Sequence, residues 1–328
     1  MTTSVAMCTY NGEKFLQIQI ESILNQTRKL DEIVVCDDGS NDKTIEILES
    51  YNLKYPALFK IYRNSEKLGS IKNFEKAISM CTKEIIFLSD QDDIWIEKKA
   101  EDYIRHFENN IKIGAIATNG FCIDEHGIEQ DKYAVWDVPQ FLKEKKIAFN
   151  YFDIIVNIAN IATGASMAFK RSLVNKIIPI PIVHEMQHDE WIALLSLKED
   201  AFLFLDEKYF YYRIHEKQQL GGVFHDKTAL IKKQLTNYFD LLENTTLFLD
   251  YKKRLKKLIL SYEKNKLRAA KDTTAKQFFI EIATNIENEI YICKSNLKSK
   301  YALRYFLMAL VDRITGKRQF KKINFNNN

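Results

Sequence analysis

Short apolar runs separated by stretches of helical periodicity limit what this chain can fold into more than any other feature. Residues 4–10, SVAMCTY, and residues 32–40, EIVVCDDGS, are brief, continuously apolar and bounded by Asn, Gly and acids, so they read as buried strands. Between them EKFLQIQIESILNQ (13–26) places Phe15, Ile18 or Gln19, Ser22, Ile23 and Gln26 at helical intervals, with Leu16, Ile20 and Leu24 completing the apolar side. NDKTIEILESYN supplies a second helix, LFKIYRN (58–64) a third strand, GSIKNFEKAISMC a third helix and EIIFLSDQDD (84–93) a fourth strand. This alternation predicts an α/β fold: an open, mainly parallel sheet with right-handed crossovers, flanked by helices. Ligands of such sheets bind at the carboxyl ends of the strands, which is where this chain collects its acids.

Further along, WIEKKAEDYIRHFENN reads as a helix, IGAIATNGFCID as a strand, GASMAFKRSLVNKII as a strand running into a helix, DEWIALLSLK as a helix and AFLFLDEKYFYYRIH as one strand or two. From about residue 226 long helical patterns take over. The expected division is a ligand-binding and catalytic domain over 1–225 and a helical C-terminal domain over 226–328. With 328 residues, 46% hydrophobic, and only 10 Gly and 4 Pro, the chain is ordered and rich in regular elements. A net charge of +4 is too small an excess to indicate nucleic acid as a partner. Basic runs such as YKKRLKK (251–257) and GKRQFKKINF (316–325) lie in the last third and read first as solvated helix faces. The five cysteines, Cys8, Cys36, Cys81, Cys122 and Cys293, are scattered without a C-x-x-C pair, as buried free thiols of a reducing cytoplasm are. No apolar run reaches the ~18 residues of a membrane span, so the expected location is cytoplasmic.

The sharpest chemical feature is FLSDQDDIW. Asp90, Asp92 and Asp93 close an apolar strand within four residues, and carboxylates that close repel one another unless solvated or neutralised by a cation. Mg2+ or Mn2+, held through one or two carboxylates plus substrate phosphates, is the common solution. An acidic turn with a helix cap is the plainer alternative. In VCDDGSNDKT (35–44) capping accounts for Asp42 and turn geometry for Gly39, but neither accounts for Asp37 and Asp38 at the strand's own end. A carboxylate there can accept a ring N–H of a pyrimidine, and Tyr10, at the end of the first strand, can stack on the base. G-x-G-x-x-G, G-x-x-x-x-G-K-[ST] and G-x-S-x-G are all absent, which removes the usual support for dinucleotide, phosphate-loop and serine-nucleophile chemistry.

CTYNGEKFLQIQIESILNQT, DEIVVCDDGSNDKT, KLGSIKNFEKAIS, IIFLSDQDDIW, TGASMAFKRSLV, HDEWIALLS and YYRIH together resemble, in order and spacing, the family 2 glycosyltransferases with the GT-A fold, over roughly residues 3–222. The likeness is strongest to the bacterial branch with SDQDDIW and YR-x-H, which holds many rhamnosyltransferases of surface polysaccharide synthesis. The resemblance implies an inverting, metal-dependent transfer from a UDP- or dTDP-sugar to a hydroxyl of a glycan, lipid-linked or glycoprotein acceptor. By the same resemblance Tyr10 and Asp38, with Cys8, Thr9 and Asp37 beside them, bind the nucleoside. Asp90-Gln91-Asp92 corresponds to the D-x-D motif, with Asp92 and Asp93 as contacts of Mn2+ or Mg2+. Asp189 stands at the catalytic base, with the adjacent Glu190 as the alternative since helix direction lets only one face the substrate; Arg213 and His215 lie against the diphosphate, and Gly164, His188 and Glu190 fall on the acceptor side.

One string points elsewhere. His184-Glu185-Met186-Gln187-His188 matches the H-E-x-x-H of zinc proteases, with Glu207 as a conceivable third ligand. Pro179 and Pro181 favour an extended approach over the required helix, and protease chemistry leaves the acidic strand ends unexplained. A nucleotide-sugar-binding subunit with idle catalytic residues is the other alternative. For the helical tail the first reading is packing or a homo-oligomer. The second is a peripheral membrane contact through YALRYFLMALVDRITGKRQFKK, with Tyr301, Tyr305, Met308 and Leu310 or Val311 forming the apolar face.

Overall fold

The computed structural model describes residues 1–183, 185–216, 218, 224–240, 246–272 and 274–318. The strands of its first part are β1 (Thr3–Thr9), β2 (Glu32–Asp37), β3 (Phe59–Arg63), β4 (Ile85–Ser89), β5 (Ile94–Trp95), β6 (Ala115–Ile123), β7 (Glu129–Gln130), β8 (Lys132–Tyr133), β9 (Ala168–Lys170), β10 (Phe202–Arg213) and β11 (His225–Asp226). The helices among them are α1 (Leu16–Leu24), α2 (Thr44–Lys54), α3 (Ser70–Met80), α4 (Lys99–Asn109), α5 (Val138–Glu144), α6 (Tyr151–Asn157), α7 (Val174–Ile177) and α8 (His188–Lys198). After them come α9 (Ala229–Phe239), α10 (Phe248–Lys271), α11 (Lys276–Lys300) and α12 (Ala302–Thr315).

The main sheet runs β3-β2-β1-β4-β9-β6-β10-β5, with β7 paired to β6. Its first four members are parallel, as strand–helix alternation dictates, and their inward residues are sealed: Val5, Met7, Ile33, Val35, Ile85 and Phe87 are fully buried. Each such side chain contributes about 1.5–3 kcal/mol by leaving water. Beyond β4 the sheet is mixed, because β9 runs antiparallel to both β4 and β6 while β10 runs parallel to β6. The chain leaves β1 towards β2 and β3 and then returns to place β4 on the other side of β1. That reversal opens a crevice at the ends of β1 and β4.

By internal contacts the chain forms two compact units. The first comprises 1–140, 161–180 and 187–231; the second comprises 141–160, 181–186 and 232–328. In the second unit α10 packs along α11, with Tyr251, Leu255, Leu258, Ile259 and Tyr262 buried on one and Phe279, Ile282, Ile286, Ile290 and Leu297 on the other. The intervals of three and four residues form the narrow seam of paired helices. On α12 the buried residues are Met308 and Asp312. Met308 therefore belongs to the inner face rather than to the exposed apolar face that sequence periodicity proposed, and the hydroxyl of Tyr301 donates to the carbonyl of Thr246 (2.9 Å). The opposite face, with Leu303, Phe306, Leu307, Leu310, Val311 and Ile314, is apolar as well, so periodicity alone had no means of deciding on which side Met308 falls.

Candidate active site

At the end of β2 the two adjacent acids are taken up by backbone donors. Asp37, fully buried, accepts the N–H groups of Gly39 (3.1 Å) and Ser40 (2.9 Å) on one oxygen and the hydroxyls of Thr9 and Ser40 on the other. It fastens β1 to β2 and folds a turn in which Gly39 takes φ +84°, a conformation without penalty only for glycine. Asp38 accepts from Asn64 Nδ2 (2.9 Å) and from the N–H groups of Leu68 (2.7 Å) and Gly69 (2.9 Å), fixing the loop that follows β3. Thr9 and Asp37 therefore shape the crevice from beneath. Tyr10 lines it, with Lys67 Nζ 3.7 Å from the centre of its ring. Cys8 sits between the acids, its thiol pushed well up by burial and then by Cys36, Asp90 and Asp38.

Gln91 joins the two strand ends. Its Oε1 accepts the N–H of Tyr10 (2.8 Å), and its Nε2 donates to the carbonyl of the same residue (3.0 Å). A Cβ on Gly12 would stand 2.2 Å from Gln91 Oε1, so the clamp requires glycine at position 12. Sequence reasoning passed over Gln91 as the middle letter of D-Q-D. Its amide was the available signal, since a group that both donates and accepts can pair with a backbone unit in both directions.

The acids after β4 crowd as their spacing predicts. Burial raises the carboxyl of Asp90, helped by repulsion from Asp92 and Asp189; burial, with repulsion from Asp92 and Asp90, raises Asp93. Asp92 Oδ2 lies 2.9 Å from His215 Nε2, which donates to it in the tautomer protonated there. Asp93 turns inward, accepting the N–H of Arg213 (3.2 Å). Arg213 is almost wholly buried: its Nε donates to the carbonyl of Asp92 (2.9 Å) and its Nη1 to that of Asp124 (3.1 Å), and its guanidinium rests over Phe15. Its Nη2 is buried and has no hydrogen-bond partner among the described residues.

Among the described residues no group of three or more His, Cys, Asp or Glu forms a ready-made metal cage. The donor set instead fits the open kind of site, in which one or two carboxylates share Mg2+ or Mn2+ with phosphate oxygens. Asp90 and Asp92 are partly exposed while Asp93 is buried, and the mutual repulsion in the cluster is what a cation would relieve.

Opposite these acids lies the first turn of α8. Asp189 accepts the N–H of Gly164 (2.9 Å) on Oδ2 and that of Glu190 (2.6 Å) on Oδ1. Burial outweighs both and pushes the carboxyl up to about 7. Its neighbour Glu190 is 6% exposed, and the charge of Asp189 reaches Asp90 in the cluster. His188 stacks on Phe74 with ring centres 3.8 Å apart, and burial drives its imidazole down to about 3, so it is neutral. Neither ring nitrogen has a hydrogen-bond partner among the described residues. A Cβ on Gly164 would stand 3.0 Å from His188 Nε2 and 3.7 Å from Asp90 Oδ2, which puts all three residues at one spot.

Sequence reasoning also missed Lys99. It is fully buried on α4, donates to the carbonyl of Ala165 (2.6 Å) and lies over the Trp95 ring. Burial brings its amine down to about 7 against the pull of Asp93 and Asp90. Tyr103 also donates to the Ser166 carbonyl, so α4 holds the turn bearing Gly164 at two points. The zinc reading fails here. His188 opens α8, residues 185–187 are not helical, Glu185 has φ +52°, and Glu207 is exposed on β10, whereas that chemistry needs the motif on one helix. His184 lies outside the described residues.

The sequence profile described as Glycosyl transferase family 2 matches residues 4–178. An uncharacterised glycosyltransferase of Methanocaldococcus jannaschii is 29% identical over 73% of this chain and 77% of its own length. The Escherichia coli enzyme named UDP-Glc:alpha-D-GlcNAc-diphosphoundecaprenol beta-1,3-glucosyltransferase WfgD is 28% identical over 74% of this chain and 87% of its own. The dTDP-rhamnosyl transferase RfbG of Shigella flexneri is 37% identical over 30% of this chain and 35% of its own. Among solved structures, S. aureus TarS 1–349 with UDP-GlcNAc superposes with a TM-score of 0.51 at 15% identity, covering 92% of both chains. The Pyrobaculum calidifontis mannosyltransferase PcManGT, with GDP-Man and Mn2+, gives 0.50 at 13% identity, covering 96% of this chain and 79% of that one.

Proposed function

The chain belongs to glycosyl transferase family 2 and has the GT-A fold, and on that premise we propose that it transfers a sugar, with inversion, from a UDP- or dTDP-sugar to a hydroxyl of a glycan acceptor in surface polysaccharide or glycoprotein synthesis. The observation that carries the reading is Asp189: a carboxyl raised to about 7, held by two N–H groups and facing the acid cluster at the strand ends. A base so tuned is half ionised near neutrality and is basic enough to take a hydroxyl proton as the oxygen attacks.

In this reading Tyr10 stacks on the base, with Cys8, Thr9, Asp37 and Asp38 framing the nucleoside pocket. Asp90, His215 and the remaining donor of Arg213 face the diphosphate. Gly164, His188 and Glu190 line the acceptor side. Asp189 takes the proton of the acceptor hydroxyl; that oxygen bonds to the anomeric carbon from the face opposite the diphosphate, and the bond from that carbon to the diphosphate oxygen breaks. Asp92 and Asp93 would hold Mn2+ or Mg2+, which when bound would supply positive charge to offset that of the departing diphosphate. Donors of the UDP and dTDP classes agree with the names of the Escherichia coli and Shigella relatives. We assign catalysis to residues 1–225 and packing or partner contact to 226–328. No helix among the described residues is long and apolar enough to cross a membrane.

Release of nucleoside diphosphate from a panel of dTDP-, UDP- and GDP-sugars, with Mn2+, Mg2+ or EDTA and with short glycan acceptors, tests this. Metal-dependent release from one UDP- or dTDP-sugar is the expected result. Nucleotide binding without turnover for any donor would replace the reading with an idle binding subunit.

A further inference from the structure

Helix α12 carries a second apolar face that nothing in the described structure covers. Leu303 (73% exposed), Phe306, Leu307, Leu310, Val311 and Ile314 (84% exposed) all stand in solvent. At about 100° per residue they form one stripe down the helix. Arg304 falls on one border of that stripe and Arg313 on the other, with Lys317 just beyond the last turn, and all three are exposed. The only acid of α12, Asp312, is buried on the inner face and paired with Arg318. A cavity of about 340 Å3 beside the helix repeats this bias, with Lys294, Arg313 and Arg318 facing Asp312 alone.

We propose that the outer face of α12 lies on an anionic lipid surface, in the plane of the interface. A stripe of six apolar side chains bordered on both sides by arginines is the pattern of a helix that sinks its apolar face to the acyl boundary while the cations extend to lipid phosphates. Fourteen residues span about 21 Å, too short to cross the ~30 Å core, so the helix lies flat. Charge decides against a second copy of this chain as the occupant. A symmetric pairing of these faces brings Arg304, Arg313 and Lys317 against their own counterparts, with no exposed acid on α12 to offset them.

The test is sedimentation of the full chain with vesicles of phosphatidylcholine alone and of phosphatidylcholine mixed with phosphatidylglycerol. Binding to the anionic vesicles, weakened by salt, and little binding to the neutral ones are expected. Phe306→Glu with Leu310→Glu should lower anionic binding by about tenfold or more, and Arg304→Gln with Arg313→Gln should remove most of the preference for anionic lipid. Helical content by circular dichroism and donor turnover in detergent-free buffer should be unchanged in both. Equal binding to both vesicle types, no binding to either, or full binding by the Phe306/Leu310 variant would overturn the proposal. A concentration-dependent dimer in light scattering, abolished by that variant and unaccompanied by vesicle binding, would assign the face to a second copy instead.

Discussion

Asp189→Asn is expected to act in opposite directions on chemistry and on stability. With the base removed, turnover should fall by about 10²–10⁴, while nucleotide binding stays near wild type. Stability follows from the same carboxyl. Its rise from 3.8 to about 7 means that the folded chain holds a proton that the unfolded chain releases. The sign is then fixed: this contribution is full below the unfolded value and is lost as the pH climbs through about 7. Between about pH 5 and pH 8 the group lowers wild-type stability by up to about 3 kcal/mol, at about 1.4 kcal/mol per unit, an upper bound that solvent contact with the half-buried carboxyl reduces. Asparagine has no such slope. It gives up one of two acceptors, since the N–H groups of Gly164 and Glu190 both donate to Asp189, at a pH-independent cost of about 1–3 kcal/mol. Removal of the charge also eases Asp90, whose carboxyl Asp189 helps to raise. The variant should therefore gain on the wild type by about 1–3 kcal/mol on going from about pH 5 to pH 8, read by urea unfolding followed through tryptophan fluorescence. An offset of equal size at both pH values would refute the buried, raised carboxyl, and normal turnover would refute the base. In the wild type, kcat should rise with pH along a limb centred near 7.

Gly12→Ala pushes a methyl into Gln91 and should raise the nucleotide Kd about tenfold, close to the effect of Gln91→Ala. Titration of the double variant should give no further loss, because one clamp underlies both effects. Lys99→Met keeps the packed stem but removes the bond to Ala165, which should cost about 1–3 kcal/mol of stability in urea and lower kcat more than nucleotide affinity. His188→Phe preserves the stack on Phe74 and deletes both ring nitrogens. The KM for acceptor should rise several-fold with unchanged inhibition by nucleoside diphosphate, whereas parallel changes in both would move His188 off the acceptor side. Asp92→Asn removes the negative charge from the side chain that faces His215, and the Mn2+ concentration needed for half-maximal turnover should rise about tenfold or more.

The parallel half of the sheet and its acidic strand ends were legible because both are local. Continuous apolar runs mark buried strands, and Asp37, Asp38, Asp90 and Asp92 follow those runs in the chain. The use made of each acid was not legible. Asp37 and Asp38 are held by N–H groups of Gly39, Ser40, Leu68 and Gly69, and a sequence does not reveal which way a backbone donor points. Lys99 reads in sequence as one more charge on a surface helix, and only burial against Trp95 and the turn at Ala165 sets it apart. The makeup of the second unit was hidden for a different reason. Residues 141–160 and 181–186 join it through contacts distant in sequence, although no break in composition marks them.

Strand β10 has a consequence that reaches beyond any single side chain. While β6 advances from Thr118 to Phe121, β10 advances from Leu205 to Tyr211, and beyond that stretch the two strands march in step to Ile123 and Arg213. The extra length acts as a spacer of odd number, and because strand side chains alternate between faces, it sets the side on which Arg213 emerges. Shortening it by one residue would turn Arg213 away from Asp92 and Asp93 without altering any letter of the site. Across descendants of this sequence, the stretch from Leu205 to Tyr211 should accept changes of residue far more readily than changes of length.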